Sequence, residues 1–491
     1  MIPFIVVLLP SNPEAKKYFI FVEIFLHLWY NSFVNMSILN KETKMFFKEF
    51  ELPKDPVFPD RDVNIREYGA EEGKPITQAV NSAIASVSEM GGGTVIVPAG
   101  KWTSGAIRLQ SNVNLHFSAG CRVQFSHDPE DYLPAVLTMY EGIRCINYSP
   151  LIYGCDIENV AVTGKGVLDG AGPEWWKWAK NLTGRDILYF DRRPIEERIY
   201  ATPELGLRPM FLQILRSKNV LIEGITLNNS PAWTVHPVWC EDVIVRGVTV
   251  ENPTVSPNTD AVNIESCNRA LVEDCVVPMT GDDMFTLKAG RNEDAWDVGI
   301  PCENVVIRNC RALGPSQSGG ITIGSEMSAC VRNVLAENCD FAHNINCLSI
   351  KSKDGRGGIV ENIEYRNIHM NKGTNGVRIT YRYSCEANDD PKIPGLNMPT
   401  VRNIYFENVS CDDVENGILI ANVPNGAMDN FYFKNITMNA TNCITADTVN
   451  GLNFENVRIK EVKGAGQAPR ESNDAKIYIV PEYAGYKAPK K

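Results

Sequence analysis

A short sequence pattern that returns along most of the chain constrains the fold more than any other feature. Each copy starts with Asn or Asp, continues with residues that alternate with β-branched or aromatic side chains, and often ends on a second Asn. Copies begin at residues 159, 219, 242, 304, 333, 362, 403 and 430, as in N-V-L-I-E-G at 219 and N-I-Y-F-E-N at 403, with a degenerate copy, A-L-V-E-D-C, at 270. A pattern that returns every ~20–40 residues is typical of a solenoid whose coils stack on one another.

The copies predict strands rather than helices. Their apolar residues alternate with a period of two, and no helical period is present. Asn tolerates the left-handed backbone conformation and bonds its own backbone, so it suits a tight corner repeated in every coil. The sequence therefore predicts an all-β protein, a parallel β-helix whose inward side chains pack on those of the next coil.

A short helix is expected to close the open amino-terminal end of this solenoid. Residues 75–90 place Ile76, Val80, Ile84 and Val87 on one helical face. The glycine-rich stretch G-G-G-T-V-I-V-P-A-G follows directly and begins the first strands. The helix is therefore predicted to cover the apolar end of the first coil.

The first 55 residues have two interpretations. An apolar stretch follows a pair of lysines at the length of a signal-peptide core, too short to span a bilayer, but no small-residue cleavage site follows it. The alternative is an extra leader from a start assigned too early, with Met36 or Met45 as the true beginning. We expect residues 1–55 to lie outside the fold, one β-helix domain over 56–465, and a loose tail over 466–491.

Charge and cysteine content exclude several classes of function. The 48 Lys and Arg against 59 Asp and Glu leave a net charge of −11 and no basic block, so we expect no nucleic-acid partner. The 14 cysteines form no C-x-x-C pair, which argues against a zinc ribbon or a redox motif. We expect no cofactor, no metal, no stable membrane span and a monomer. Six cysteines in the repeats are expected to be buried as free thiols: Cys267, Cys275, Cys302, Cys310, Cys339 and Cys347.

Two acidic motifs lie one coil apart. S-P-N-T-D-A-V-N supplies Asp260, and T-G-D-D-M-F supplies Asp282 and Asp283, with Gly281 permitting a bulge that lets both reach outward. Asp282 follows Asp260 by 22 residues, so the three carboxylates are expected to converge on neighbouring strands. Repulsion between them raises the pKa of at least one, as a general acid near neutral pH requires. Acidic pairs in turns are also common solvated caps, but two motifs at this spacing favour a catalytic site.

Further candidates continue at coil-like spacing on either side of the aspartates. Ser318, Lys351 and Tyr383 follow at steps of 36, 33 and 32 residues, and Trp233 and His236 precede by one coil. An aromatic ring beside carboxylates suits a sugar, whose apolar face stacks while its hydroxyls bond polar groups. Core packing of Trp233 and a structural role for His236 are the alternatives. Six cations are expected near the carboxylates and suit an acidic substrate: Lys288, Arg291, Lys351, Lys353, Arg356 and Arg378.

These residues resemble glycoside hydrolase family 28, the polygalacturonase family of pectin-degrading enzymes. The resemblance runs from V-N-I-R-E-Y-G-A at 63–70 through N-S-P-A-W-T-V-H-P at 229–237 to about residue 460. G-G-I-T-I-G-S-E-M-S at 319–328 is close to bacterial members. The resemblance implies a right-handed parallel β-helix, an inverting hydrolase and an acidic pectic polysaccharide as substrate. It also implies export to the periplasm or secretion.

The same resemblance assigns roles to the site residues. Asp282 would protonate the leaving oxygen, while Asp260 and Asp283 would position and deprotonate the attacking water. Lys351 and Tyr383 would contact the sugar, with the lysine binding a galacturonate carboxylate.

Two departures from the family pattern concern the substrate. Typical members have Gly-His-Gly where this chain has Ser318 in the middle position, and Arg-Ile-Lys where it has Ser349 in the first. The acid and base carboxylates remain, so we expect a changed substrate rather than lost activity. Members that act on rhamnogalacturonan resemble this chain in lacking both groups, which favours that substrate over plain polygalacturonate. Arg378 or Arg382 would then supply a guanidinium from the next coil.

Three questions stay open from the sequence. A catalytically silent carbohydrate-binding β-helix is one alternative, because the usual histidine and arginine are missing. A pectate-lyase-like enzyme that eliminates with calcium and an arginine base is another. Finally, the aromatic and charged insertion over residues 172–207 makes the enzyme act on chain ends if it closes one end of the groove, and internally if it does not.

Overall fold

Nearly all regular structure in the protein is β-strand, arranged in stacked coils. The computed structural model describes residues 45–180, 183–383, 395–462 and the backbone of 477–479. Within these residues, 27 strands form one continuous parallel system, and two more form an antiparallel hairpin. Strand follows strand around the axis and pairs with its equivalent in the coils before and after, which confirms the predicted parallel β-helix.

The strands β1 to β29 in chain order are Asp62–Asn64, Gly93–Val97, Gly100–Ser104, Ile107–Arg108, Val113–Phe117, Cys121–Phe125, Val136–Tyr140, Ile143–Asn147, Ile152–Cys155, Glu158–Gly164, Val167–Asp169, Leu212–Leu215, Lys218–Glu223, Thr226–Asn228, Val235–Val238, Glu241–Arg246, Thr249–Glu251, Val262–Glu265, Asn268–Glu273, Val276–Met279, Phe285–Lys288, Cys302–Arg308, Arg311–Gly324, Val331–Lys351, Ile359–Thr380, Thr400–Ala421, Ala427–Ala446, Asn450–Glu461 and Ile477–Ile479. The α-helices α1 to α4 are Thr77–Glu89, Gly172–Trp175, Thr183–Phe190 and Asn292–Val298. Short 3₁₀ helices cover Ile65–Tyr68, Pro129–Tyr132, Trp176–Lys180 and Ile195–Glu197.

One stack of strands carries the candidate site, and we call it the site sheet. It runs through β9, β12, β15, β18 and β21 and continues through the last residues of β23 to β27. Because successive strand residues point to opposite faces, one row of equivalent positions faces outward along the whole sheet. In register, that row contains Gln213, His236, Asn263, Thr286, Thr322, Ser349 and Arg378.

Asparagine ladders hold the corners between sheets, as the repeat predicts. The repeat asparagines adopt positive φ, for example 58° at Asn362 and 57° at Asn403. Each side-chain amide donates to the asparagine of the preceding coil, at 3.0 Å from Asn403 to Asn362 and 3.1 Å from Asn430 to Asn403. The recurring Asn therefore supplies both a left-handed corner and a hydrogen bond along the axis.

The core is a continuous apolar column inside the coils. The aromatic rings of Tyr365, Phe406, Phe433 and Phe454 stack on successive coils with centroids 5.0, 4.7 and 5.3 Å apart. The six cysteines of the repeats are buried and free, which confirms their prediction as small apolar residues.

Helix α1 closes the amino-terminal end of the column. Ile76, Val80, Ile84 and Val87 are all fully buried against the first strands, as the helical periodicity predicts. Since the ends of a β-helix would otherwise leave apolar side chains open to water, this face is what the helix contributes to stability.

Residues 46–55 correct the predicted start of the fold. They lie along the outside of the solenoid, where Phe47, Phe50 and Leu52 pack on an outward apolar row made of Leu271, Val306 and Leu335. The backbone N–H of Phe47 donates to the carboxylate of Glu364 at 2.8 Å, and Arg246 pairs with Asp55 at 3.0 Å. The boundary expected at residue 56 therefore excluded a segment that covers apolar surface.

The tail also differs from its prediction at one place. The strand β29, within the span expected to be loose, pairs in parallel with β27 and extends the site sheet by one more coil. The rest of 466–491 and the leader residues 1–44 lie outside the described residues.

Two insertions lie over the site sheet ahead of the acidic motifs. The hairpin β7–β8 is bonded to the sheet through Gln213, whose side-chain oxygen accepts from Met139 N at 3.2 Å and whose amide donates to Met139 O at 2.8 Å. The second insertion, residues 172–210, contributes Leu188, Tyr189 and other side chains to an apolar cluster that also contains residues of the hairpin. Together they cover the outer face of these coils.

Candidate active site

The two acidic motifs meet at the start of neighbouring strands of the site sheet. Asp260 precedes β18, and Asp282 and Asp283 precede β21; one carboxylate oxygen from each lies within 4.8 Å of the others. The strand register pairs Val262 with Phe285, so Asp260 lies opposite Asp283 and one residue from Asp282. The predicted convergence is therefore confirmed, with the coil one residue longer than the interval of 22 suggested.

Gly281 is required here by a close approach between coils. A Cβ atom built on it would lie 1.8 Å from the carbonyl oxygen of Ser256, so no other residue fits without moving the backbone. Its N–H donates to Thr259 Oγ1 at 3.2 Å, which ties the two acidic motifs together. The sequence analysis expected a bulge at this glycine; its smallness is what brings the aspartate motifs into contact.

Arg208 holds the loop of Asp260 from the second insertion. Its guanidinium donates to the carbonyl oxygen of Pro257 at 2.6 Å and to Asn258 Oδ1 at 2.8 Å, and the residue is 3% exposed. Sequence analysis gave no role to Arg208, since only the fold brings it to the motif.

Asp283 is an ionised, fully hydrogen-bonded carboxylate. Its Oδ1 accepts from Gly319 N at 2.6 Å and Thr322 Oγ1 at 2.9 Å, and its Oδ2 accepts from Lys351 Nζ at 2.8 Å. Burial alone would raise its pKa, but the charges of Lys351 and Lys288 and these hydrogen bonds, with one from Ser318, outweigh burial and lower it.

Asp282 has the opposite character. It is partly exposed, and one carboxylate oxygen accepts from the backbone N–H of Asp283 at 2.9 Å. Burial and the neighbouring charge of Asp283 raise its pKa to about 6, against the opposing effect of the two lysines. A carboxyl group protonated near neutral pH beside an ionised one is the arrangement that general acid catalysis needs.

Asp260 lies deeper, beside a buried lysine. Its Oδ2 is 3.4 Å from Lys288 Nζ, which also contacts Glu326 Oε2 at 3.0 Å. Burial raises the pKa of Asp260 well above its ordinary value, Lys288 opposes this effect, and Asp282 and Asp283 add to it. Burial by itself would raise the pKa of Glu326, but the cations around it, Lys288 above all, lower it.

His236 and Trp233 support the site rather than face a substrate, which corrects their predicted contact role. His236 is fully buried, with Nδ1 2.8 Å from Gln213 Nε2 and Nε2 2.7 Å from Glu265 Oε2. Because the Gln213 amide donates to Nδ1, the ring carries its proton on Nε2 and gives it to Glu265. Trp233 is buried among the insertions, and Lys288 Nζ lies 4.1 Å from its ring centroid, so this face is closed to a sugar.

Lys288 is corrected in the same way. It is 3% exposed and bound to Asp260, Glu326 and the Trp233 ring, so its charge balances carboxylates inside the protein. Lys351 is similar: its ammonium group is bound to Asp283 and lies 5.1 Å from the ring of Tyr383.

Three of the candidate binding residues remain partly exposed beside the carboxylates. Ser318, Tyr383 and Arg378 are half-buried on the coils that follow the aspartates. Burial lowers the pKa of Arg378, with Tyr383 and Asp283 acting in the opposite direction. The open part of the site therefore lies on the carboxy-terminal side of Asp283.

Several supporting residues were missed by sequence reasoning. Glu265, Glu326, Gln213 and Thr322 occupy outward positions of site-sheet strands and are buried, and each bonds a residue of the site. A polar residue at an outward strand position is ordinary for a solvated face. Only the covering insertions turn these positions into buried partners.

The acidic cluster also has the size of a cation site, and its chemistry argues against one. Two ammonium groups already contact it, Lys351 on Asp283 and Lys288 on Asp260. A divalent cation would have to approach these positive charges, so the cluster suits proton transfer better than metal binding.

Comparison with known proteins fits this geometry. Residues 200–438, which include all three aspartates, match the glycosyl hydrolases of family 28. A hyperthermoactive exopolygalacturonase of Thermotoga maritima is 31% identical and superposes with a TM-score of 0.72, covering 87% of this chain and 94% of that protein. The chain belongs to glycoside hydrolase family 28.

Other family 28 proteins agree with this assignment. A probable polygalacturonase of Vitis vinifera is 29% identical over 373 residues, which cover 74% of this chain and 70% of that protein. The family 28 exopolygalacturonase of Yersinia enterocolitica has the same fold, with a TM-score of 0.70 at 22% identity over 86% of this chain and 77% of that one. The right-handed parallel β-helix and the assignment as a polygalacturonase-type glycosidase of pectic polysaccharide are thereby confirmed. Among the described residues, no helix is long and apolar enough to cross a membrane.

Proposed function

We propose that the protein is an inverting glycoside hydrolase that cleaves pectic polysaccharide containing galacturonic acid. The observation that carries this proposal is the set of three carboxylates within 4.8 Å, of which Asp282 alone is partly exposed with a pKa raised to about 6. Asp282 gives its proton to the glycosidic oxygen as the bond breaks. Asp260 and Asp283 hold the attacking water and take up its proton.

The spacing of the carboxylates makes the stereochemistry worth arguing. Retaining enzymes keep their two carboxyl groups ~5–5.5 Å apart and inverting ones ~6.5–9.5 Å, so closely spaced oxygens favour retention on distance alone. A retaining nucleophile, however, needs a free oxygen aimed at the sugar. Both oxygens of Asp283 accept hydrogen bonds, and Asp260 is 2% exposed beside Lys288. Such groups are better suited to holding a water than to attacking carbon, which supports inversion.

We favour a rhamnogalacturonan-type backbone over plain polygalacturonan. Ser318 and Ser349 stand where family members that bind polygalacturonate carry a histidine and an arginine, so two charged contacts to an acidic sugar are absent beside the acid. The names of the relatives favour polygalacturonan instead. Reaction on both polymers separates the two.

We also propose action at chain ends. The hairpin β7–β8 and the 172–210 insertion cover the site sheet on the coils before Asp260, where Gln213 and His236 are fully buried. On the other side, Tyr383 and Arg378 stay half-buried. A groove that is blocked on one side of its acid and open on the other accepts a chain terminus, and two solved relatives are named exopolygalacturonases.

The location of the protein is proposed from its substrate. Pectic polysaccharide is a polymer outside the cell, and family members are secreted or cell-wall enzymes. We therefore place the protein in the periplasm or outside the cell.

The test is incubation of the purified protein with polygalacturonate and with rhamnogalacturonan, measuring new reducing ends and ultraviolet absorbance. Hydrolysis gives reducing ends without absorbance. An absorbing, unsaturated product that disappears with chelator would mean a lyase. No release from any pectic polymer would leave a carbohydrate-binding β-helix as the function.

A further inference from the structure

The outward row of the site sheet changes character one coil beyond Ser349. Thr286, Thr322 and Ser349 are short and buried, and the next residue in register is Arg378. Neighbouring strands are about 4.8 Å apart. A guanidinium thus follows directly after the position where family members usually carry an arginine.

Arg378 is an unpaired cation in a site where cations are otherwise paired. Among the described residues, no carboxylate and no hydrogen-bond acceptor contacts its guanidinium, although the side chain is half-buried. The other five cations near the carboxylates all have partners: Lys288 with Asp260 and Glu326, Lys351 with Asp283, Arg291 over the Tyr189 ring, Arg356 with Asn292, and Lys353 with a contact of its own.

An unpaired, partly desolvated charge is unfavourable unless a ligand neutralises it. Lys351 is poorly placed to do this work, because binding a substrate carboxylate would require its ammonium group to leave Asp283. That ammonium keeps Asp283 ionised, so the catalytic site has a use for it already. Arg378 is therefore the cation available to an acidic ligand.

A second observation points to the same place. The hydroxyl of Ser349, which is 1% exposed, has no hydrogen-bond partner among the described residues. A buried hydroxyl without a partner is uncommon and marks a place where a ligand hydroxyl or a water completes the structure. Ser349 and Arg378 together offer one neutral hydrogen-bonding group followed by one cation along the groove.

We propose that Arg378 binds the carboxylate of a uronic acid unit of the substrate, in place of the arginine that Ser349 has replaced. The guanidinium meets the carboxylate with two parallel hydrogen bonds, the geometry in which arginine differs from lysine. The acidic sugar sits one coil further from Asp282 than an arginine at position 349 would hold it. This inference rests on the proposed function and names the residue that selects its acidic substrate.

The experiment compares Arg378→Gln with the wild type on polygalacturonate and on the same polymer fully methyl-esterified. The matched control is Arg382→Gln, on the same segment, whose guanidinium is bound to Asp447. We expect Arg378→Gln to raise KM on the free acid about tenfold to a hundredfold, the range of a charge-assisted hydrogen bond, with a smaller change in kcat. On the esterified polymer its KM should equal that of the wild type, and Arg382→Gln should match the wild type on both. Adding Ser349→Arg to Arg378→Gln should recover part of the lost affinity.

Calorimetric binding of galacturonate oligosaccharides separates this inference from the proposed function. Binding that weakens in Arg378→Gln, without hydrolysis by the wild type, would support Arg378 and refute the hydrolase. An unchanged KM and unchanged binding in Arg378→Gln would overturn the inference. An equal loss on the acidic and esterified polymers, or no binding by the wild type, would also overturn it.

Discussion

Three adjacent carboxylates behave differently because each has different neighbours. Asp283 accepts three hydrogen bonds, one of them from an ammonium group, whereas Asp282 receives one backbone N–H and faces the charge of Asp283. Burial acts on both in the same direction, and the lysines decide which one ionises first. The acid and base roles follow from these contacts.

Replacing the acid tests that assignment directly. Asp282→Asn keeps the oxygen that accepts from Asp283 N but cannot protonate a leaving group. We expect kcat to fall by about 10²–10⁴, the contribution of a general acid, with the fold intact. Rates on a pectic polymer measure the effect, and Asp297→Asn, an exposed aspartate, is the control. A loss of less than tenfold would remove Asp282 from the mechanism.

The same substitution should stabilise the protein in a pH-dependent way. The folded protein raises the pKa of Asp282 to about 6, above an unfolded value of about 3.9, so the folded state binds this proton more tightly. Stability from this group is full below about pH 4 and is lost as the pH rises through 6, at a cost on the order of 2 kcal/mol. Asp282→Asn should therefore melt at a higher temperature than the wild type at pH 8, with a smaller difference at pH 5. Equal melting shifts at both pH values would contradict the raised pKa.

At this scale the sequence predicts identity better than contact. The spacing of the two acidic motifs was enough to find Asp260, Asp282 and Asp283. The roles of His236 and Trp233 depend on insertions that cover them, and no local pattern reports a partner 150 residues away in the chain, such as Asp294 for Arg144.

At the scale of elements, the asparagine corner is the unit from which the coils are built. It combines a left-handed backbone with a hydrogen bond to the next coil, and each contributes separately to stability. Asn403 has a φ of 57° and bonds both neighbouring asparagines.

Two substitutions at this corner separate the contributions. Asn403→Gly loses the ladder hydrogen bonds but tolerates the positive φ, whereas Asn403→Ala loses the bonds and adds backbone strain of ~1–2 kcal/mol. We expect both to lower the melting temperature, with alanine lower than glycine. Thermal unfolding measured by circular dichroism gives the order. A glycine variant as stable as the wild type would show that the ladder bonds contribute nothing.

The elements were largely predictable because the repeat is local. Strand alternation and the face of α1 are written in consecutive residues, and the structure has both. The segment 46–55 was not, since its Phe47, Phe50 and Leu52 look like part of an apolar leader until the row of Leu271, Val306 and Leu335 is known.

At the scale of the whole molecule, coils provide a long open face and insertions decide how much of it a substrate reaches. The hairpin and the 172–210 insertion are joined to the solenoid by buried ion pairs, among them Arg144 and Arg198 with Asp294 at 2.9 and 2.6 Å. The wall is therefore a fixed part of the site.

A fixed wall on one side of the acid has a measurable consequence for products. We expect small products of constant size from the first turnovers, and a viscosity that falls slowly while reducing ends accumulate. Chromatography of early products, with an internally cleaving pectinase as reference, provides the comparison. A broad early distribution of oligosaccharides would show that the groove is open at both ends.

The central claim is hydrolysis with inversion by Asp282, with water held by Asp260 and Asp283. The most direct test follows the first product by proton NMR, before the sugar ring equilibrates in water. The account predicts a new reducing end with the anomeric configuration opposite to that of the cleaved linkage. A product that retains the original configuration would mean that one of the buried aspartates attacks carbon, and would contradict the account.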